Sequence, residues 1–257
     1  YAFLGGRLED CEMLAHDAFA HRYEGNDELT ARVFGVHMLH VRSMQGRLDE
    51  FLQPVQSFVA QFPQIAAWRC VLAYIYTQLD RTAHARRLLA ALAQEDFQDL
   101  ARDANWLPSL VTLSQVVAIL NDAPRAQQLY KLLSPYADHN VVTGLLVCAG
   151  SASRPLGLLA TTLSRYEDAQ HHFEHALKMN TKIRSPLWIA YTQHDYARML
   201  LLRKGPGDRD TALELLDQAL ATADQLGLKA LADKAALLKL AAKAPTPAPA
   251  LPGSCSP

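Results

Sequence analysis

"LGLLATTLSRYEDAQHHFEHAL", residues 156–177, decides how the rest of the chain is read. Leu156, Gly157 and Ala160 share one face of a first helix. Ser164-Arg165 supplies a turn, and Tyr166, Ala169, Phe173 and Ala176 follow on a second helix. Side chains spaced by four and seven positions from a small residue lie along one stripe of a 3.6-residue helix. Gly157 and Ala169 are small, so two antiparallel helices can approach closely there. Phe173 is large enough to fill the space between one helix pair and the next.

The same intervals recur along the chain. In 72–92 the equivalents are Leu72, Ala73 and Tyr76, a turn near Asp80, then Ala85, Leu89 and Leu92. In 113–133 they are Leu113, Ser114, Val117, Asn121, Ala126, Tyr130 and Leu133, and in 196–220 Tyr196, Ala197, Leu200, Ala212, Leu216 and Ala219, with an insertion at Gly205–Gly207. A weaker copy runs from Met38 through Leu48, Phe51, Val55 and Phe58 to Pro63. The start of the chain supplies a second helix alone, with Gly6, Leu8, Cys11, Ala15 and Ala18. Helix pairs that cannot cover their own apolar faces must stack on their neighbours. Breaks at "QFPQ" (61–64), "LSPYADHN" (133–140), "GSASRP" (150–155) and "KGPGD" (204–208) punctuate the pattern. "NVVTGLLVCAG" (140–150) reads equally as a short helix or an extended crossing segment, and residues 135–152 are left open between the two.

These columns resemble the tetratricopeptide repeat family over nearly all of residues 1–243, best at 156–177, where L-G-x-x-A, R-Y-x-x-A, F and A-L fall in register. Repeat distances vary from 34 residues (Phe51 to Ala85) to 43 (Ala169 to Ala212), and the Pro that ends a standard repeat occurs once, as Pro63. The resemblance implies an all-α fold: an irregular right-handed superhelical solenoid of about six helix pairs, the first incomplete. A polar capping helix near 229–243 follows, with Leu228, Leu231 and Ala235 inward. The Pro-rich stretch 244–257 is expected to be a disordered tail. "LYKLLSPYADHNVV" (129–142) and "HDYARMLLLRKGPGDRDTALELLDQALATADQLGL" (194–228) are also similar to the C-terminal helical arrays of large bacterial signalling ATPases, which accompany cyclase or LuxR-type DNA-binding domains. That likeness implies a cytoplasmic regulatory fragment that binds a protein, peptide or small effector and relays the event to fused ATP-binding, cyclase or DNA-binding domains. G-x-x-x-x-G-K-[ST] does not occur in the chain, so any ATPase activity is expected outside it.

Composition narrows the function classes. Half of the 257 residues are apolar, and the formal charge is −1, which offers no basic excess for direct nucleic-acid binding. No run of eighteen apolar residues suggests a membrane span. The chain starts at Tyr1 without a signal-peptide pattern and reads as a fragment or processed piece. Cys11, Cys70, Cys148 and Cys255 are far apart and fit free thiols in a reducing compartment.

The "HHFEH" at 171–175 matches H-x-x-E-H, a zinc-peptidase pattern. The repeat gives it another meaning. Ala169, Phe173 and Ala176 form the buried stripe, so His171, His172, Glu174 and His175 are expected on hydrated faces, and a metal hydrolase is the minor alternative. No cofactor, metal or catalytic residue is assigned. In a tetratricopeptide array the first helices line a concave groove. Mapping those columns places His37, His40, Tyr74, Thr77, Gln78, Gln115, Thr161, Thr162, His194 and Arg198 near it. The Lys/Asn clamp of chaperone-binding members has no counterpart in matching columns. In "HDYAR" (194–198), Tyr196 and Ala197 take packing positions, leaving His194, Asp195 and Arg198 for exposed or groove faces. Trp68, Trp106 and Trp188 sit near helix starts and are expected as core or interface anchors. A spacer or self-association module without a ligand is the other alternative.

Overall fold

The computed structural model describes residues 1–21, 27–98, 100–144 and 147–244. Within them the chain is predominantly helical. The helices are α1 (Leu8–Ala20), α2 (Asp27–Gln45), α3 (Leu52–Gln61), α4 (Ala66–Gln78), α5 (Thr82–Leu92), α6 (Trp106–Leu120), α7 (Ala123–Leu133), α8 (Ser153–Thr162), α9 (Tyr166–Lys182), α10 (Pro186–Arg203), α11 (Asp208–Leu226) and α12 (Lys229–Lys243). No helix among the described residues is long and apolar enough to cross a membrane. Of the expected tail, only Ala244 falls among the described residues.

The segment left open between helix and crossing strand forms an antiparallel hairpin, β1 (Asn140–Thr143) with β2 (Val147–Ser151). Its backbone needs glycine. Gly150 has φ +78°, and a Cβ there would lie 2.8 Å from Cγ of Trp188. Trp188 in turn donates its indole N–H to the Cys148 carbonyl at 2.9 Å. The "GSASRP" break is correspondingly shorter than its composition suggests, because α8 starts at Ser153, inside it.

Consecutive helices pack on one another from α3 to α12, as α1 does on α2, and alternate helices touch as well: α4 on α6, α6 on α8, α8 on α10 and α10 on α12. The reading of 156–177 holds at atomic detail. Phe173 is fully buried and stacks on Tyr196 with ring centroids 5.7 Å apart. A Cβ on Gly157 would come within 2.7 Å of the Phe173 ring. Ala85, Leu89, Ala126, Leu133, Ala169, Ala176, Ala212, Leu216 and Ala219, all repeat columns, have no exposed surface.

The two ends of the helical succession meet. α12 packs on α11 and also on α2. Leu8 of α1 and Val41 and Met44 of α2 share one buried cluster with Leu187, Trp188, Ala223, Leu228 and Leu231. Ser185 donates its hydroxyl to the Leu4 carbonyl at 2.9 Å, and Lys234 of α12 reaches the Gln78 side chain of α4 at 2.6 Å. α1 is tied to α2 by the buried Arg42, which donates to both carboxylate oxygens of Glu12 at 2.5 and 2.6 Å.

Candidate functional site

Residues of α2, α4, α6, α8 and α10 line a shared cavity of about 400 Å³. α2 contributes Val36, Leu39, His40 and Ser43; α4 contributes Trp68, Val71 and Tyr74; α6 contributes Thr112 and Gln115. The hairpin adds Thr143 and Ala149, α8 adds Arg154, and α10 adds Trp188 and Tyr191. A second hollow of about 420 Å³ between α2 and α3 shares Arg32, Phe58 and Trp68 with the first. The wall is mainly apolar and aromatic, the usual character of a small-molecule site, and a cavity of this size suits a drug-sized ligand.

Arg154 is the buried charge in this wall, with 7% of its surface exposed. Its Nε donates to Oδ2 of Asp195 at 2.8 Å, and its guanidinium carbon lies 5.3 and 5.7 Å from the centroids of Tyr191 and Trp188. Asp195 also bonds the His194 ring at 3.0 Å. Burial alone would raise the Asp195 carboxyl. The Arg154 charge, the His194 hydrogen bond and Arg198 outweigh that and hold it well below the usual carboxylate range. Asp195 was expected on an exposed or groove face. It is instead buried behind Arg154, because a cation on the neighbouring helix lets the carboxylate leave water.

His40 and Tyr191 complete the polar side of the wall. His40 Nδ1 faces the Val36 carbonyl at 2.8 Å and therefore carries the proton, leaving Nε2 as an acceptor. Burial pushes the His40 imidazole down and the Tyr191 phenol up, so both are neutral near pH 7. Ser43 and Tyr74 hydroxyls approach to 3.4 Å.

Of the residues placed by sequence near a concave groove, His40, Tyr74 and Gln115 line the cavity. The others lie elsewhere. Thr77 and Thr161 are buried and return their hydroxyls to the Tyr74 and Gly157 carbonyls, and Thr162 does the same to Leu158. Gln78 holds Lys234, His194 holds Asp195, and His37 is half-buried on α2. Arg198 is half-buried with an Nε that has no hydrogen-bond partner. Sequence reasoning missed Arg154, which sat inside a stretch read as a break. The signal was an arginine immediately before the apolar run Pro155–Ala160, which places it on a helix buried on every side.

The histidine motif on α9 is only partly hydrated. His171 and Glu174 are exposed, as expected. His172 is half-buried against Tyr130, whose hydroxyl lies 2.8 Å from Nε2. His175 meets Ser153 Oγ through Nδ1 at 2.9 Å and Asp138 through Nε2 at 3.2 Å. With both of its nitrogens engaged, His175 has no open lone pair for a metal shared with His171. Among the described residues no three His, Cys, Asp or Glu side chains are grouped to hold an ion. Cys11, Cys70 and Cys148 are free thiols, and Cys255 lies outside the described residues.

No protein-family model matches the chain, and no curated protein matches it either.

Proposed function

We propose that this chain is a non-enzymatic sensing module: an irregular tetratricopeptide-like solenoid whose inner helices bind a small effector. It would serve as the regulatory part of a multidomain signalling protein, with any ATPase, cyclase or DNA-binding activity in other domains. The observation that carries the reading is the aromatic cavity to which five first helices of successive pairs, α2, α4, α6, α8 and α10, all contribute wall residues. A ligand seated there touches repeats far apart in sequence, so its binding energy bears on the geometry of the whole array. Enclosure by α2 on one side and α10 on the other favours a small molecule over an extended peptide.

The test is direct. N-phenyl-1-naphthylamine, a neutral dye that brightens in apolar surroundings, is expected to bind with micromolar affinity. Val71→Trp, which puts an indole into the cavity, is expected to weaken binding at least tenfold while the unfolding transition remains cooperative. Absence of dye binding to the wild-type protein would sink the effector reading.

A second reading has its own support. Leu237 and Leu240 on α12 are 68% and 71% exposed, and Met13 and Leu14 on α1 are also exposed. Apolar surface at the two terminal helices fits a self-associating or spacer module. Sedimentation of the wild type against Leu237→Glu/Leu240→Glu decides it: a wild-type dimer converted to a monomer supports self-association.

A further inference from the structure

The cavity's charges and donors define what it takes. Its charged lining residues are Arg154 and Arg32, and neither Asp nor Glu lines it among the described residues. Behind the wall, Asp195 faces two cations, Arg154 and Arg198, so the cluster carries one positive charge in excess. Arg154 is more than nine-tenths buried, yet its single hydrogen bond among the described residues leaves through Nε. Neither terminal nitrogen has a hydrogen-bond partner among the described residues. Those nitrogens are not among the polar atoms shut off from solvent without a partner, so they keep accessible surface in an otherwise buried residue, and the two coplanar NH2 groups match the two oxygens of a carboxylate. The rings of Trp188 and Tyr191 flank the Arg154 guanidinium, and Tyr74, Trp68 and Val71 add to the mainly apolar and aromatic lining of the same cavity.

We propose that the cavity binds an amphiphilic organic carboxylate, its aryl or alkyl body against the Trp68–Trp188 wall and its carboxylate on the terminal nitrogens of Arg154. This rests on the effector-cavity reading above and specifies its ligand. Asp195 acts as a positioning residue. By occupying Nε it fixes the plane of the guanidinium and aims the two terminal nitrogens at the ligand. Tyr191 has no hydrogen-bond partner among the described residues and its phenol stays protonated, so its hydroxyl is available as a third donor.

The experiment displaces bound N-phenyl-1-naphthylamine with naphthalene-2-acetate and with naphthalene-2-acetamide, which share a shape and differ in charge. The carboxylate is expected to compete at least tenfold better. In Arg154→Gln/Asp195→Asn, which removes both charges together, the dye still binds and the preference shrinks to within twofold. Arg154→Lys keeps the charge without the fork. It is expected to retain a reduced preference, and it carries the test if the double variant does not fold. Equal displacement by acid and amide in the wild type, or a full preference surviving in either variant, overturns the carboxylate assignment while leaving the effector cavity standing. Failure of the dye to bind the wild type overturns both.

Discussion

Arg154 and Asp195 are each nearly inaccessible, and each makes the other's burial tolerable. The pair's net contribution is small, because desolvation offsets much of its attraction, but removing one partner strands the other. Asp195→Asn is therefore expected to lower unfolding free energy by about 3–5 kcal/mol, and Arg154→Gln/Asp195→Asn by clearly less. Urea denaturation of both reads the difference, and equal losses would show that the pairing is not what tolerates the charges. His172 has a different consequence. Burial first, then the neighbouring His171, pushes its imidazole from 6.5 down to about 4. Between those values the unfolded chain binds a proton that the folded chain refuses, so stability is complete above pH 6.5 and falls as pH drops toward 4. Burial moves His37 and His40 the same way. Below pH 4.5 Glu12 joins them: the Arg42 hydrogen bonds hold it at about 2, and their contribution fades as the pH falls through that range. The melting temperature should drop between pH 7 and 5, and His172→Gln should flatten that slope without abolishing it. An unchanged slope would mean that His172 takes up its proton in the fold as readily as in the unfolded chain.

Within each helix pair a single left-handed residue ends the first helix: Gly46, Asp80, Asn121, Ser164 and Lys204 all have φ between 51° and 76°. After the first four, the next amide reaches back five residues, as in Arg81 to the Tyr76 carbonyl at 2.8 Å and Arg165 to Ala160 at 2.9 Å, which closes the helix end in the same way each time. Turns at Asp80 and Ser164 were legible from sequence because they interrupt apolar stripes of fixed spacing. The close approach of α8 and α9 was legible because glycine faced phenylalanine. Gly157→Val tests that contact: it forces a branched side chain against a ring with no room to move and is expected to cost about 1–3 kcal/mol, measured by chemical denaturation. A neutral outcome would mean the pair can spread. The hairpin was not legible, because four strand residues rich in valine carry no period long enough to separate strand from helix. The cavity-lining Arg154 was hidden for a related reason. Helix periodicity identifies which side chains are buried, whereas Arg154 is buried by a partner two helices away in the chain, at Asp195.

At the scale of the molecule the consequential contact is the one between the ends. A linear stack lets each unit feel only its neighbours, so damage at one end stays there. Here α12 leans on α2 across most of the sequence, and the buried cluster that joins them includes Trp188, which is also a wall of the cavity. Leu231 is fully buried in that cluster and does not line the cavity. Leu231→Ala is expected to cost about 2–5 kcal/mol, and the pattern of loss matters more than its size. Hydrogen exchange should quicken at Val41 and Met44 in α2 as well as at Ala223 in α11, while Leu110 and Leu113 in α6 stay protected. Protection lost from α11 and α12 alone would describe an open array. Because α2 supplies one side of the cavity, the same variant should also weaken N-phenyl-1-naphthylamine binding several-fold without altering any residue that touches the dye. If α2 loses protection and the affinity does not change, the cavity is held by α4, α6 and α10 alone, and closure of the ends serves stability rather than binding.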